Sequence, residues 1–247
     1  MAAPRASTGP GRPPGGLLGG GWRAFLGLTV PSLCWEFLRR NPDYRAEFAR
    51  FVRGEGPVDP RWGLSAAADP ALSADEGRVV WRADVAPGVV VPVERASFGR
   101  PRASRLTRAA PVAGVDGVHI RLPSGLQVQL RNDATPAQPL VVVLAYDADF
   151  RLRVRAVDAL RRADLTDTPP RSRLSSAQRE RLARTLFALD GALERRSYRQ
   201  IAEDLFGDME TGADFKTASI RDVTIRLVRR GRALMAGGYL KLLHGGF

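Results

Sequence analysis

Residues 174–207 have the sequence LSSAQRERLARTLFALDGALERRSYRQIAEDLFG, and residues 217–243 have the sequence TASIRDVTIRLVRRGRALMAGGYLKLL. In the first segment, leucines recur every three or four residues, which is the spacing of a buried stripe on a helix. We predict a helix that is capped by Ser175 or Ser176 and runs to about Leu193. Its buried stripe consists of Leu182, Leu186, Leu189 and Leu193.

A second, shorter helix is predicted from Tyr198 to Phe206. It has one apolar face, and the small side chain of Ala202 on that face permits the close approach of a crossing helix. Gly207 follows directly and is a common residue at a helix end. The residues predicted to face inward are Ile201, Ala202 and Leu205.

A third, longer helix is predicted from Ser219, where Asp222 three residues later resembles a capping arrangement. Its core side is predicted to contain Ile220, Val223, Leu227 and Leu234. The other side is rich in arginine and is predicted to be surface, with Arg221, Thr224, Arg226, Arg229, Arg230 and Arg232. A short helix followed by an arginine-rich helix is the outline of a DNA-binding helix-turn-helix.

Arginine can pair with guanine in the major groove or with a phosphate. Polar residues near the start of a recognition helix commonly reach the bases. The predicted DNA-binding residues are therefore Lys216, Thr217, Ser219, Arg221, Arg226, Arg229 and Arg230. The alternative is an ordinary amphipathic helix whose arginines are only solvated.

The segment between the second and third helices departs from the helix-turn-helix pattern. A standard turn has about three or four residues, whereas Asp208 to Ala218 is longer and contains Asp208, Glu210 and Asp214. Acidic side chains beside DNA are unfavourable, so the motif is divergent. A protein-binding module is the second interpretation, with an exposed partner-binding group formed by Phe206, Met209 and Phe215.

The rest of the chain divides into segments of different composition, and together they predict an α+β fold. Residues 1–21 are a predicted disordered tail, 22–74 a helical region, 75–150 a small β-rich region, and 151–247 the helical DNA-binding domain. In the helical region, Asn41-Pro42 should end one helix and begin the next, which runs to Val52. In residues 150–162 we expect Leu152, Val154, Val157 and Leu160 to share one side of a helix.

The β-rich region contains short runs of Val-rich sequence bounded by Gly and Pro, and we predict a small, mainly antiparallel sheet. A hairpin is expected with Ser124 and Gly125 in its turn. Between the runs, Ala96 to Ala113 is rich in arginine and is predicted to be a solvated loop, with phosphate contact as the alternative. The predicted strands are VVWRADV (79–85), VVVPVE (89–94), VHIRL (118–122), LQVQL (126–130) and PLVVVLAY (139–146).

The formal net charge of +12 and the pI of about 11.1 favour a polyanionic partner. The alternative explanation for part of the charge is a high-GC genome that prefers arginine codons. One cysteine excludes an intrachain disulfide, and one cysteine with two histidines argues against zinc, so we expect no metal and no cofactor.

No run of about 18 apolar residues occurs, so we expect no membrane span. We predict a cytoplasmic protein.

The sequence has no Gly-rich phosphate loop, metal-ligand spacing or nucleophile elbow, so we do not predict an enzyme. His119 lies in a strand-like run and is interpreted as a strand residue rather than a catalytic base. Cys34 is interpreted as a buried thiol. We therefore predict no catalytic residue.

The segments quoted above resemble a bacterial family first catalogued as a domain of unknown function. It is described as a divergent helix-turn-helix in regulators of integrative and conjugative elements. Residues 139–162, 174–193, 197–207 and 219–243 carry this resemblance, and residues 35–51, 61–76 and 79–87 resemble its companion N-terminal region. The resemblance implies transcriptional control through double-stranded DNA. The alternative that it implies is anti-activation by contact with another transcription regulator. RNA polymerase and a second copy of the chain are further partners that we leave open.

Overall fold

The computed structural model describes residues 18–101, 106, 110–165, 174–207 and 219–245. Within these ranges, helices at both ends of the sequence flank a five-stranded sheet. The predicted α+β class is therefore confirmed. None of the helices in these ranges combines the length and the apolar character that crossing a bilayer requires.

The N-terminal helices begin and end at local signals. Leu18–Phe25 is a 3-10 helix, and residues 1–17 of the predicted tail lie outside the described residues. Helix α1 spans Val30–Leu38 and helix α2 spans Pro42–Val52. The Asn41 side chain accepts hydrogen bonds from the first two amides that follow Pro42, so the predicted break between these helices is confirmed.

The strands of the sheet are β1 Val90–Arg95, β2 Val112–Gly114, β3 Gly117–Arg121, β4 Gln127–Leu130 and β5 Leu140–Val142. Their order in the sheet is β2-β3-β4-β1-β5. Strands β1 and β4 pair in parallel, and the other three pairings are antiparallel, which confirms a mainly antiparallel sheet. Strands β3 and β4 form the predicted hairpin, in which the Gly125 amide donates to the Leu122 carbonyl over 2.9 Å.

The predicted strand at residues 79–85 is wrong. Only Trp81 makes a bridge there, to Leu64, and the run is a connection that is buried at residues 79–81 and exposed at Asp84. Its backbone groups bond to the side chain of Gln127, which accepts from the Trp81 amide over 2.8 Å and donates to the Val79 carbonyl over 3.2 Å. The pairing is limited to this one bridge, where the Ser65 amide donates to the Val80 carbonyl and the Arg82 amide donates to the Gly63 carbonyl, each over 2.9 Å. The buried Gln127 side chain bonds to the adjoining backbone groups.

Two further differences concern the sheet edges. Strand β2 includes Val112, at the end of the segment that we predicted to be a solvated basic loop, and residues 102–105 and 107–109 of that segment lie outside the described residues. Strand β5 is shorter than the predicted run and ends at Val142. Short edge strands such as these offer few unpaired backbone groups to other chains.

The remaining helices follow the sheet. Helix α6 does not continue through the apolar C-terminal sequence, because a π-helical turn at Leu234–Gly238 contains Gly237 with φ of 121°. Helix α7 begins after this turn. The bounds are α3 Phe150–Leu165, α4 Ser176–Leu193, α5 Tyr198–Phe206, α6 Ser219–Ala233 and α7 Tyr239–His244.

The side chains form two apolar clusters. The larger one joins α1 to helices α4–α7, and its fully buried members include Trp35, Leu186 and Tyr239. The smaller one lies between the sheet and α3 and includes Val91 and Ala156. The first third of the described chain and its C-terminal helices therefore share one core.

Two apolar side chains that we predicted to lie on the buried side of a helix are exposed. Leu193 is 36% exposed, at the last residue of α4, so the stripe ends at Leu189. Val154 is 42% exposed, because Arg153 and Ala156 of α3 occupy the buried side instead. The Arg153 guanidinium is held there by Asp147 over 3.0 Å and by the Ala83 carbonyl over 3.3 Å.

Candidate nucleic-acid interface

Helices α4, α5 and α6 pack together, and capping boxes set the starts of the first two. Ser175 caps α4 and exchanges hydrogen bonds with Gln178. Ser197 caps α5 in the same way with Gln200. Because both boxes satisfy amides that a helix leaves unpaired, they define where each helix begins. Both starts were predicted.

Two glycines allow the three helices to approach closely. A Cβ atom on Gly191 would lie 2.8 Å from Cγ1 of Ile201, where α4 meets α5. A Cβ atom on Gly231 would lie 2.9 Å from Cβ of Leu189, where α6 crosses α4. The predicted inward residues Ile201, Ala202 and Leu205 are buried at this junction. The packing therefore determines which face of α6 remains outside.

The outer face of α6 carries four exposed arginines. At about 100° per residue they fall in a sector of roughly 140°. Within the described residues none of their four guanidinium groups takes part in a hydrogen bond or an ion pair. We call this surface the arginine face, and its members are Arg221, Arg226, Arg229 and Arg232.

Two residues predicted to lie on the surface of α6 are placed elsewhere. Thr224 is fully buried and its hydroxyl donates to the Ile220 carbonyl over 2.9 Å, so the prediction of a surface threonine is wrong. Arg230 is partly buried beside the end of α6. Burial and the nearby charge of Arg181 lower the pKa of Arg230. The structure thus separates Arg230 from the arginine face.

The structure describes only some of the other residues that we predicted to form the site. Ser219 is the first residue of α6, whereas Lys216 and Thr217 lie outside the described residues. The same holds for Met209 and Phe215 of the predicted partner-binding group, and for the whole acidic segment 208–218. Phe206 is half-buried against the core, with the Arg184 guanidinium 5.4 Å from its ring centroid, so the prediction that it is exposed is wrong.

A buried charge network attaches α1 to α4. Arg40 donates from Nη2 to Asp190 Oδ2 over 2.8 Å and from Nη1 to Glu36 Oε2 over 2.6 Å. Arg39 donates to the same Glu36 oxygen over 2.8 Å. Burial acts to lower the pKa of Arg40, and its bonds to Asp190 and Glu36 raise that pKa above the ordinary value. The network therefore holds Arg40 in its charged form.

Helix α7 is attached to the N-terminal region as well. The Tyr239 hydroxyl donates to the Trp62 carbonyl over 2.9 Å, and the Cys34 thiol donates to the Tyr239 carbonyl over 3.5 Å. The Asn41 amide donates to the Met235 carbonyl in the π-helical turn over 3.0 Å. The N-terminal region thus contacts both the π-helical turn and the start of α7.

The described residues also contain a Ser–His–Asp cluster. His119 is a buried strand residue, as predicted, and its Nε2 atom lies 2.9 Å from Ser65 Oγ and 2.8 Å from Asp116 Oδ1. In a catalytic triad the acid and the nucleophile contact different ring nitrogens. Here both contact Nε2, so the cluster ties the turn between β2 and β3 to Ser65.

From the sequence we expected no metal site. Across the ranges that the structure describes, no group of three or more His, Cys, Asp or Glu side chains is placed to hold a metal ion. Cys34 is fully buried, and burial raises the pKa of its thiol. It therefore packs as a small core residue, as its sequence context predicted.

Two family models match the chain. The model described as "T6SS, Transcription factor, DNA binding domain" matches residues 143–244, which contain α3 to α7. The model described as "Proteobacterial transcriptional regulator-like domain" matches residues 22–70, which contain α1 and α2. These matches indicate a transcriptional regulator with a DNA-binding domain. No curated protein has a significantly similar sequence.

Two features of the structure were not predicted from the sequence, namely the place of Arg232 on the arginine face and the Arg40–Asp190 ion pair. Arg232 was placed on the surface but was not selected, although its spacing of three from Arg229 puts it on the same face. The Arg40–Asp190 pair joins residues 150 positions apart, and no local pattern signals such a contact. The segments matched by the two family models are therefore connected by charges as well as by apolar packing.

Proposed function

We propose that the protein is a sequence-specific DNA-binding transcriptional regulator whose α6 enters the major groove as the recognition helix of a divergent helix-turn-helix. The observation that carries the proposal is the arginine face, with four exposed guanidinium groups free of internal ion pairs in the described residues. An α-helix fits the major groove, and guanidinium groups there pair with guanine or phosphate.

The positions of three of the four arginines along α6 suggest their roles. Arg221 lies in the first turn of α6, and the first turn of a recognition helix commonly contacts base edges. Arg229 and Arg232 lie toward its end and are assigned to phosphates. Lys216, Thr217 and Ser219 precede or begin α6 and remain proposed base contacts, and Arg230 is retained as a proposed phosphate contact.

The N-terminal region is proposed to position the DNA-binding helices. The Arg40–Asp190 pair and the Tyr239–Trp62 bond join it to both α4 and α7. A regulator of this kind acts on DNA in the cytoplasm and needs no catalytic residue, so we propose a non-enzymatic protein. The resemblance noted above supports an association with mobile genetic elements.

The test begins with selection of duplexes from a random pool by the full-length protein, followed by fluorescence anisotropy with the selected duplex. Replacing Arg221, Arg226 and Arg229 together by Gln should weaken binding by about 100-fold or more, because the variant loses a proposed phosphate contact as well as base contacts. The matched control replaces Arg151 and Arg155, which are exposed on α3 and likewise unpaired within the described residues. Equal loss in both variants would contradict the proposal.

A protein-binding regulator is the second candidate. The sequence feature that favours it is the acidic segment before α6, with Asp208, Glu210 and Asp214. Its partner would be another transcription regulator, RNA polymerase or a second copy of this chain. In a reporter assay this candidate predicts that the triple arginine variant stays active and that Phe215→Ala does not, which is the reverse of the first proposal.

A further inference from the structure

A cavity of about 430 Å³ lies between α4, the end of α6 and α7. This volume falls within the roughly 300–1,000 Å³ that small-molecule sites occupy. None of the four arginines of the arginine face lines the cavity, although Ala233 belongs to the same side of α6. The lining residues that matter here are Leu182, Arg230, Ala233, Leu234, Lys241 and Leu242.

The lining combines apolar walls with two positive charges. Leu182, Leu234 and Leu242 offer hydrocarbon surface, and Arg230 and Lys241 supply the cations. Among the residues that the structure describes, none of those lining the cavity is acidic. Arg230 is partly buried and lies near the like charge of Arg181, both of which disfavour its charged form. A carboxylate placed between Arg230 and Lys241 would be attracted by both positive charges.

We propose that this cavity binds a small amphipathic anion, namely a carboxylate attached to an apolar chain, and that this ligand regulates DNA binding. The chain lies against the leucines, and the carboxylate accepts hydrogen bonds from Arg230 and Lys241. The regulatory part of the inference rests on the proposed DNA-binding function. The binding part does not.

The position of the cavity explains how a ligand would act. Arg230 belongs to α6 and Lys241 to α7, and the π-helical turn with Gly237 lies between them. Helix α7 is held to the N-terminal region through Tyr239. A carboxylate that bridges both cations therefore fixes the direction of α6 relative to the core. The ligand can change the DNA affinity only to the extent that it binds one direction of α6 more tightly than another.

The binding test is calorimetric titration of the full chain without DNA, using decanoate below its micelle concentration. Decan-1-ol and decyltrimethylammonium serve as the neutral and cationic probes of the same chain length. We expect decanoate to bind at least about tenfold more tightly than either, because charge-assisted hydrogen bonds are the stronger ones. Lys241→Gln should weaken decanoate binding by about tenfold for the same reason. Equal binding of the three probes would overturn the proposal.

A matched pair of variants locates the site. Ala233→Phe places a ring in the cavity and should abolish decanoate binding, whereas Ala236→Phe is the control, because Ala236 is exposed in the neighbouring turn and does not line the cavity. Circular dichroism and thermal unfolding establish that both variants fold. If Ala233→Phe misfolds, Lys241→Gln decides the question. Unchanged decanoate binding in folded Ala233→Phe would overturn the proposal.

The regulatory test adds decanoate to the anisotropy assay with the selected duplex. The DNA affinity of the wild type and of Ala236→Phe should change by about threefold or more, and that of Ala233→Phe should not, given typical coupling between sites. Calorimetric binding without any effect on DNA affinity would overturn the regulatory part. Failure of the protein to bind any duplex, while decanoate still binds the cavity, would instead count against the proposed DNA-binding function.

Discussion

The guanidinium of Arg40 in α1 and the carboxylate of Asp190 in α4 form a buried ion pair through two hydrogen bonds, one of them 2.8 Å from Nη2 to Oδ2. The exposed fractions of the two side chains are 1% and 7%. One partner lies in the segment matched by the regulator-like family model and the other in the segment matched by the DNA-binding model. The pair therefore connects these segments within one core.

Asp190→Ala should lower the free energy of unfolding by about 3 kcal/mol, because it leaves a buried guanidinium with only Glu36 as its charged partner. The double variant Arg40→Met/Asp190→Leu should recover much of this loss, since it removes both charges while Glu36 keeps Arg39. Urea unfolding measures both. The exposed pair Arg53–Glu55 provides the control, and Glu55→Gln should change stability little. A double variant that is no more stable than Asp190→Ala would contradict the expectation.

Gly231→Ala should destabilise the protein by about 1–3 kcal/mol, although alanine favours helices, because overpacking outweighs propensity at a close crossing. The new methyl group would lie 2.9 Å from Cβ of Leu189 and 3.1 Å from the Thr185 carbonyl oxygen. Gly27→Ala is the control, because a Cβ atom there meets nothing within 4 Å. Thermal and urea unfolding report the difference, and equal stability of the two variants would show that α6 and α4 do not cross so closely.

The DNA affinity should depend steeply on salt, and Arg229→Gln/Arg232→Gln should reduce the slope of log affinity against log salt by about 1.8 if both residues contact phosphate. Anisotropy titrations over a range of sodium chloride concentrations give the slope. The affinity for unrelated duplexes should fall in parallel, because phosphate contacts carry no sequence information. An unchanged slope would exclude both residues from phosphate contact.

Asp116→Asn should flatten the dependence of stability on acid pH. Burial acts to raise the pKa of Asp116, but its hydrogen bonds to His119 and Ser65 lower that pKa below the ordinary value. Its contribution to folding is therefore complete above the ordinary carboxyl pKa of about 3.9 and is lost as the pH falls through the lower folded value. Urea unfolding between neutral pH and about pH 3 measures this slope. Ser65→Ala should flatten it partly, and wild-type slopes in both variants would contradict the role of the cluster.

Local chemistry explains which elements were predictable. Asn41-Pro42 and the serine caps of α4 and α5 are short-range signals, and the helices begin where these signals lie. The run at 79–85 has the composition of a strand, but Gln127 satisfies its backbone from another part of the chain. Helical spacing places arginines on a face but does not show that Arg230 borders a cavity, because the cavity forms only when α4 and α7 pack against α6.

The bond between Cys34 and Tyr239 joins residues 205 positions apart, and it has a consequence for biosynthesis. At about 5–20 residues per second, a ribosome needs about 10–40 s to proceed from one to the other. During that interval α1 lacks the C-terminal helices that bury its apolar side chains. Limited proteolysis of ribosome-stalled chains should show α1 protected only when the chain extends past α7. Helix α1 is thus synthesised early but packs into its complete core only at the end of synthesis.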